Sequence, residues 1–118
     1  MRIIVCGGRN FTDYKLLKRK LDKLTSKLDK SKLVILSGHA KGADTLGEQW
    51  CFERKVTYEI YRPDYSQWGK KLAPIKRSEE MVKNANTLIA FWDGFSLGTR
   101  HIVEYAKKQG MKYRLILF

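Results

Sequence analysis

Cysteine and histidine are scarce in this chain, two of each, and their scarcity excludes whole classes of chemistry. Cys6 and Cys51 show no CxxC spacing and have no histidine nearby, so reduced thiols are expected and a zinc site is not. His39 and His101 lie far apart, and neither a metal nor a cofactor is expected. No apolar run reaches the ~18 residues that a bilayer span requires. Met1-Arg2 leads straight into a strand rather than into the apolar stretch of a signal peptide. A cytoplasmic protein with no membrane partner is therefore expected. Internal repeats, low-complexity tracts and linkers are also missing, and 118 residues suit one core, so residues 1–118 read as a single domain.

Acidic residues are in deficit, 12 against 24 basic ones, which leaves a formal charge of +12. That excess raises the question of polyanionic partners. Much of it lies in one segment, where Lys15, Lys18, Arg19, Lys20, Lys23, Lys27, Lys30 and Lys32 alternate with Leu16, Leu17, Leu21, Leu24 and Leu28. The pattern describes a helix with an apolar stripe and a solvated lysine face, and aromatics are sparse there. A nucleic-acid surface stays open as the less favoured reading.

What the chain does have is a recurring strand, glycine loop and helix start. Ile3 to Cys6 runs into Gly7-Gly8-Arg9-Asn10, and Leu33 to Leu36 into Ser37-Gly38-His39-Ala40-Lys41-Gly42-Ala43-Asp44. Leu88 to Trp92 runs into Asp93-Gly94-Phe95-Ser96-Leu97-Gly98-Thr99. Glycine lets backbone approach a ligand, and the first amides of a helix lack internal partners, so each loop can receive an anion.

The periodicity predicts strands over 2–6, 33–36, 56–61, 87–92 and 112–118, and helices over 13–28, 43–54, 71–84 and 99–109, with a loop over 62–68. Such alternation implies right-handed crossovers and a Rossmann-like, doubly wound α/β domain, with a mostly parallel sheet of about five strands and helices on both faces. In that architecture ligands bind beyond the carboxyl ends of the strands, where strand order reverses. The three loops are expected to meet there.

Gly7-Gly8-Arg9-x-Phe11-x-Asp13, Ser37-Gly38-x-Ala40-Lys41-Gly42-Ala43-Asp44, Gly47-Glu48-x-Trp50, Arg77-x-x-Glu80-Met81 and Ala90-Phe91-Trp92-Asp93-Gly94-x-Ser96-x-Gly98-Thr99 together resemble the YspA-like family of the SLOG superfamily, over almost the whole chain. Ser78 stands where that family usually has Asn, and His39 or Pro74 where it has Gly. The resemblance implies a Rossmann-like fold that binds nucleotides or nucleotide-derived molecules, including NAD- or ADP-ribose-derived immune signals. Relatives in the superfamily include cytokinin-activating phosphoribohydrolases and single-strand DNA-binding proteins. Homo-oligomers are common among them.

The phosphoribohydrolases pair an arginine and a methionine, which Arg77 and Met81 match, with a glutamate three residues after a Gly-Thr pair. Here that position is Ile102, which cannot move a proton. Glu104 lies about 200° further around a helix. Gly94-x-Ser96-x-Gly98 also matches a nucleophile elbow, but only His101 follows it and no separate acid and histidine can complete a triad.

Binding without turnover fits these residues better than catalysis, so no catalytic residue is assigned. Amides of Gly7, Gly8, Gly98 and Thr99 would receive phosphate, Arg9 and Arg77 would pair with it, and Asp44 or Asp93 would accept ribose hydroxyls. Ser37, Gly38, Lys41, Gly42, Gly94 and Ser96 complete the expected binding set. Phe11, Trp68 and Trp92 lie near loop ends, where an aromatic ring can stack on a base; Trp92 equally suits the core, and Trp68 a subunit contact. With no effector segment in view, sequestering an ADP-ribose-type signal, as a phage-encoded sponge, is the most economical role.

Overall fold

Ile3, Ile4, Val5 and Cys6 are all buried, so the first strand is covered on both faces, as in a parallel sheet sandwiched between helices. A computed structural model describes all of residues 1–118. The order is β1 (Arg2–Gly7), α1 (Tyr14–Leu24), a 3₁₀ turn (Lys30–Lys32), β2 (Val34–Ser37), α2 (Ala43–Arg54), β3 (Thr57–Ile60), α3 (Tyr65–Lys83), β4 (Thr87–Trp92), α4 (Leu97–Lys108) and β5 (Lys112–Leu117). All neighbouring strands pair in parallel, in the order β3-β2-β1-β4-β5. The chain builds outward from β1 to β3 and then crosses back to β4. Strand order thus reverses at the β1–β4 boundary.

Side chains alternate across the sheet. Ile3 and Val5 join Leu17, Leu21, Trp50 and Cys51 in a core beneath α1 and α2, while Ile4 and Cys6 join Met81, Val82, Ile102 and Val103 beneath α3 and α4. The two cysteines therefore sit in different cores, both buried and unbridged. No helix is long and apolar enough to cross a membrane.

Three boundaries depart from the sequence expectation. α1 stops at Leu24 rather than Leu28, with Thr25 as its C-cap: the buried Thr25 amide and hydroxyl both donate to the Leu21 carbonyl, at 3.0 and 2.7 Å. α3 begins at Tyr65 rather than Lys71: Asp64 caps it by accepting from the Gln67 amide, and the helix is broken in its course at Gly69 (φ 76°). α4 begins two residues before Thr99, at Leu97.

Candidate ligand-binding cleft

Beyond the β1–β4 boundary lies a cleft of about 510 Å³, within the range of small-molecule sites. The loops after β1, β2 and β4 all contribute to it: Gly7, Arg9 and Asn10 from the first, Gly38, Ala40 and Asp44 from the second, Ser96, Gly98 and Thr99 from the third. α3 supplies a fourth wall through Pro74, Ile75, Arg77, Ser78 and Met81, and His101 and Ile102 of α4 face it. Of the residues expected to bind, Gly7, Arg9, Gly38, Asp44, Arg77, Ser96, Gly98 and Thr99 come together here.

The start of α4 has the features of an anion site. Ser96 is its N-cap but makes no side-chain cap bond, and the first amide with an acceptor is that of Arg100, which donates to the Ser96 carbonyl at 3.1 Å. The amides of Leu97, Gly98 and Thr99 are left without protein acceptors, and no acidic residue lies in the first turn. The loop before it is rigidly set. Asp93 Oδ1 accepts from the amides of Phe95 at 2.8 Å and Ser96 at 2.9 Å, which holds its carboxyl below the usual range, and Trp92 Nε1 donates to the Ser96 carbonyl.

Arg77 is anchored across the cleft. Its Nη1 donates to the Gly38 carbonyl at 2.7 Å and the Tyr61 carbonyl at 3.3 Å, leaving the rest of the guanidinium without a protein acceptor. Arg9 is exposed at the rim. Asp44, in the first turn of α2, is only 6% exposed, and burial pushes its carboxyl up to about 6 against the opposing pull of the Ala40 amide and the Arg77 charge. Cys6 also touches the cleft, but burial raises its thiol well above the ordinary value, so it is no thiolate nucleophile.

The other expected residues have different work. The Gly8 amide, assigned to phosphate on sequence grounds, donates to the Phe91 carbonyl at 2.9 Å. Gly42, at φ 97°, brings the α2 start so close to the β1 loop that a Cβ would lie 2.3 Å from the Gly8 carbonyl oxygen. Phe11 is 1% exposed, its ring against Phe91 and Phe118, and so is packed in the core rather than offered to a base. Gly94 forms the Asp93 turn at φ 89°. Lys41 and Asp93 are outside the cleft lining, as are Trp68, whose ring carries the Lys76 ammonium, and Trp92.

Ser37 is buried and donates to Glu48 Oε2 at 2.6 Å, while His39 Nδ1 lies 2.9 Å from both Glu48 oxygens. Glu48 and His39 thus fix the β2–α2 loop, with His39 itself in the left-handed region at φ 60°. Neither belongs to the binding set expected from the sequence. The available signal was Asp44 and Glu48 one helical turn apart, a spacing that places both on one face of α2. Ile75, Met81 and Ile102 form an apolar wall that periodicity assigns to the core alone.

A parallel sheet in this order, with a cleft at the point of reversal, defines a Rossmann-like protein. Residues 1–68 match the YspA, cpYpsA-related SLOG family, and the chain belongs to that family. It is similar to the Gene 61 protein of Mycobacterium phage D29, 32% identical over 117 residues that span 93% of this chain and 91% of the relative. Its fold is that of DNA processing protein A (DprA) from Streptococcus pneumoniae, with a TM-score of 0.79 at 16% identity over 99% of this chain. The match spans half of the DprA chain.

Proposed function

We propose that residues 1–118 act as one domain that binds a nucleotide-derived small molecule, of the ADP-ribose, NAD-derived or cyclic nucleotide type, and holds it without turnover. The observation that carries this reading is the set of unclaimed amides at the start of α4, where Gly98 and Thr99 line the same cleft as Arg9 and Arg77. Amides and guanidinium together suit a phosphate, and the wall of Pro74, Ile75, Met81 and Ile102 suits the flat face of a base.

Ile102 lines the cleft where the phosphoribohydrolases carry their glutamate, and Glu104 is turned outward into a pair with Arg100 at 3.6 Å. That arrangement supports binding rather than glycosidic cleavage. The role we assign to such binding is sequestration of a host signal in the cytoplasm, as a phage protein would need, and the chain is similar to a phage protein. Exposed Tyr65, Trp68 and Leu72 on α3 offer a surface for a second copy, in keeping with a homo-oligomer.

The test is the mass of any small molecule that co-purifies, followed by calorimetry against ADP-ribose, cyclic ADP-ribose isomers, NAD and nucleoside monophosphates. Tight binding with the ligand recovered intact is expected. A folded protein that binds none of them removes the proposal. Release of free base from a monophosphate, abolished by Arg77→Ala, selects the enzyme instead.

A further inference from the structure

The two ends of the cleft have opposite chemistry. At the α4 end, free amides demand an anion. At the α2 end stands Asp44, nine-tenths buried, a carboxyl to which no side chain donates. The amides of Gly38 and Ala40 lean on it, Ala40 N at 3.3 Å from Oδ2. Arg77 is adjacent, but its Nη1 is spent on the carbonyls of Gly38 and Tyr61. A buried acceptor open to a cleft calls for a donor, and a second phosphate set there would meet like charge.

Gly38 keeps that acceptor accessible. A Cβ at this position would lie 2.8 Å from Asp44 Oδ2 and 2.9 Å from Arg77 Nη1, so the gap between carboxylate and guanidinium exists only because the residue has no side chain. What satisfies both ends is a molecule with an anion at one end, neutral hydroxyls next to it and an apolar ring beyond. A ribonucleotide has that order. A deoxyribonucleotide lacks one of the two donors, and an internal nucleotide of a DNA strand lacks both.

Resting on the binding reading above, we propose that the cleft selects ribonucleotides over deoxyribonucleotides, with Asp44 as the acceptor of the ribose hydroxyls. The selection separates this chain from a DNA-strand binder by the sugar rather than by the base. Asp44 is the specificity-determining residue, and Gly38 the gap through which the sugar reaches it.

The test is calorimetry of the intact chain with adenosine 5′-monophosphate and its 2′-deoxy counterpart, with ADP-ribose as the control for the underlying reading. The ribo form is expected to bind about 10–100-fold more tightly than the deoxy form, the span of one charge-assisted hydrogen bond. Asp44→Asn, checked for cooperative melting, is expected to shrink that ratio toward one while ADP-ribose still competes at the anion end. If ADP-ribose binds but the two monophosphates bind alike, or neither binds, this inference is overturned and the binding reading stands. If ADP-ribose also fails to bind, both fall. Gly38→Ala provides the second variant: it keeps the carboxylate's charge but sets a Cβ against Asp44 Oδ2 and Arg77 Nη1, closing the gap between them, and is expected to cost the ribo form more than the deoxy form, and an equal loss for both counts against the assignment.

Discussion

The starts of α2 and α4 are written alike in the sequence, each a glycine loop running from a buried strand into a helix, yet they do opposite things. At α2 two of the first three amides are consumed: Ala43 donates to the Gly8 carbonyl at 3.3 Å and Thr45 to the Ala40 carbonyl at 3.3 Å. Its first turn carries Asp44, which would repel an anion. At α4 the first amides are free and the first turn has no acid. One helix start is a lock between the β1 and β2 loops, and the other leaves its first amides unpaired. Glycine has a different reason in each: Gly42 buys a close approach between backbones, whereas a Cβ on Gly98 would meet nothing within 4 Å.

The sharpest way to break the comparison is to put alanine at both glycines. Gly42→Ala forces a side chain into φ 97° and against the Gly8 carbonyl, a combination expected to cost ~3 kcal/mol or more and to lower Tm by more than ~10 °C. Gly98→Ala, on a helical and open position, is expected to stabilise the chain by ~0.5–1 kcal/mol. Thermal melts of the two variants check this. Equal effects would mean that the two helix starts are built the same way.

Asp44 gives the next largest effect. Its carboxyl titrates at about 6 in the folded chain against an ordinary 3.8, so the folded state holds a proton that the unfolded state has already released. The stability from that proton is complete below about 3.8 and is lost as the pH rises through about 6, a difference of ~3 kcal/mol. The charged groups around it are Arg77 from α3 and Glu48 from its own helix. Asp44→Asn is therefore expected to stabilise the ligand-free chain by up to ~3 kcal/mol at pH 7.5 and to leave it nearly unchanged at pH 3.5. Denaturant titrations at the two pH values read the difference. A variant destabilised at pH 7.5 would mean that Asp44 is a structural ion-pair member rather than a destabilised binding group.

Much of this contrast could not be read along the chain. Alternating apolar runs and helical stripes marked all five strands and four helices, because each element buries its own face against one sheet. The carboxyl-end position of the loops followed from the same alternation. Which amides stay free did not, since the Gly8 N–H is taken by Phe91, a residue on another strand. Phe11 looked like a loop aromatic for the same reason: its partners Phe91 and Phe118 are brought in only by the parallel register of β1, β4 and β5. The early start of α3 was hidden by Gly69, a helix-breaking residue placed after a properly capped first turn. Glu48 was hidden by its ordinary place in a helix. The spacing from Asp44 gives its face of α2, but its burial against Ser37 and His39 comes only from the fold.

At the receptor itself, Arg9→Ala is expected to weaken ligand binding about 10-fold with Tm unchanged, because Arg9 is exposed at the rim and makes no bond within the protein. Arg77→Ala removes the anchor of the Gly38 loop as well, and should cost both affinity and stability. Calorimetry beside a thermal melt separates the two arginines. An Arg9 variant with wild-type affinity would mean that Arg9 does not reach the anion.

The smallest effect is the one that divides a small-molecule binder from a strand binder. None of the lysines of α1, nor Lys27 just beyond it, lines the cleft, and the helix packs by Leu17 and Leu21 on the sheet face opposite α3 and α4. Reversing Lys18, Lys20, Lys23 and Lys27 to glutamate changes only long-range field at the site, which ~0.15 M salt screens over about 8 Å. Small-ligand affinity is expected to change by less than about 2-fold at that salt. A nucleic-acid surface on α1 predicts the reverse: micromolar binding of a single-stranded oligonucleotide, steep loss with added salt, and abolition by the four reversals. The excess of positive charge argues for polyanion binding only if that second pattern is seen, because a lysine-rich outer face is also what keeps an amphipathic helix solvated while its leucines are buried.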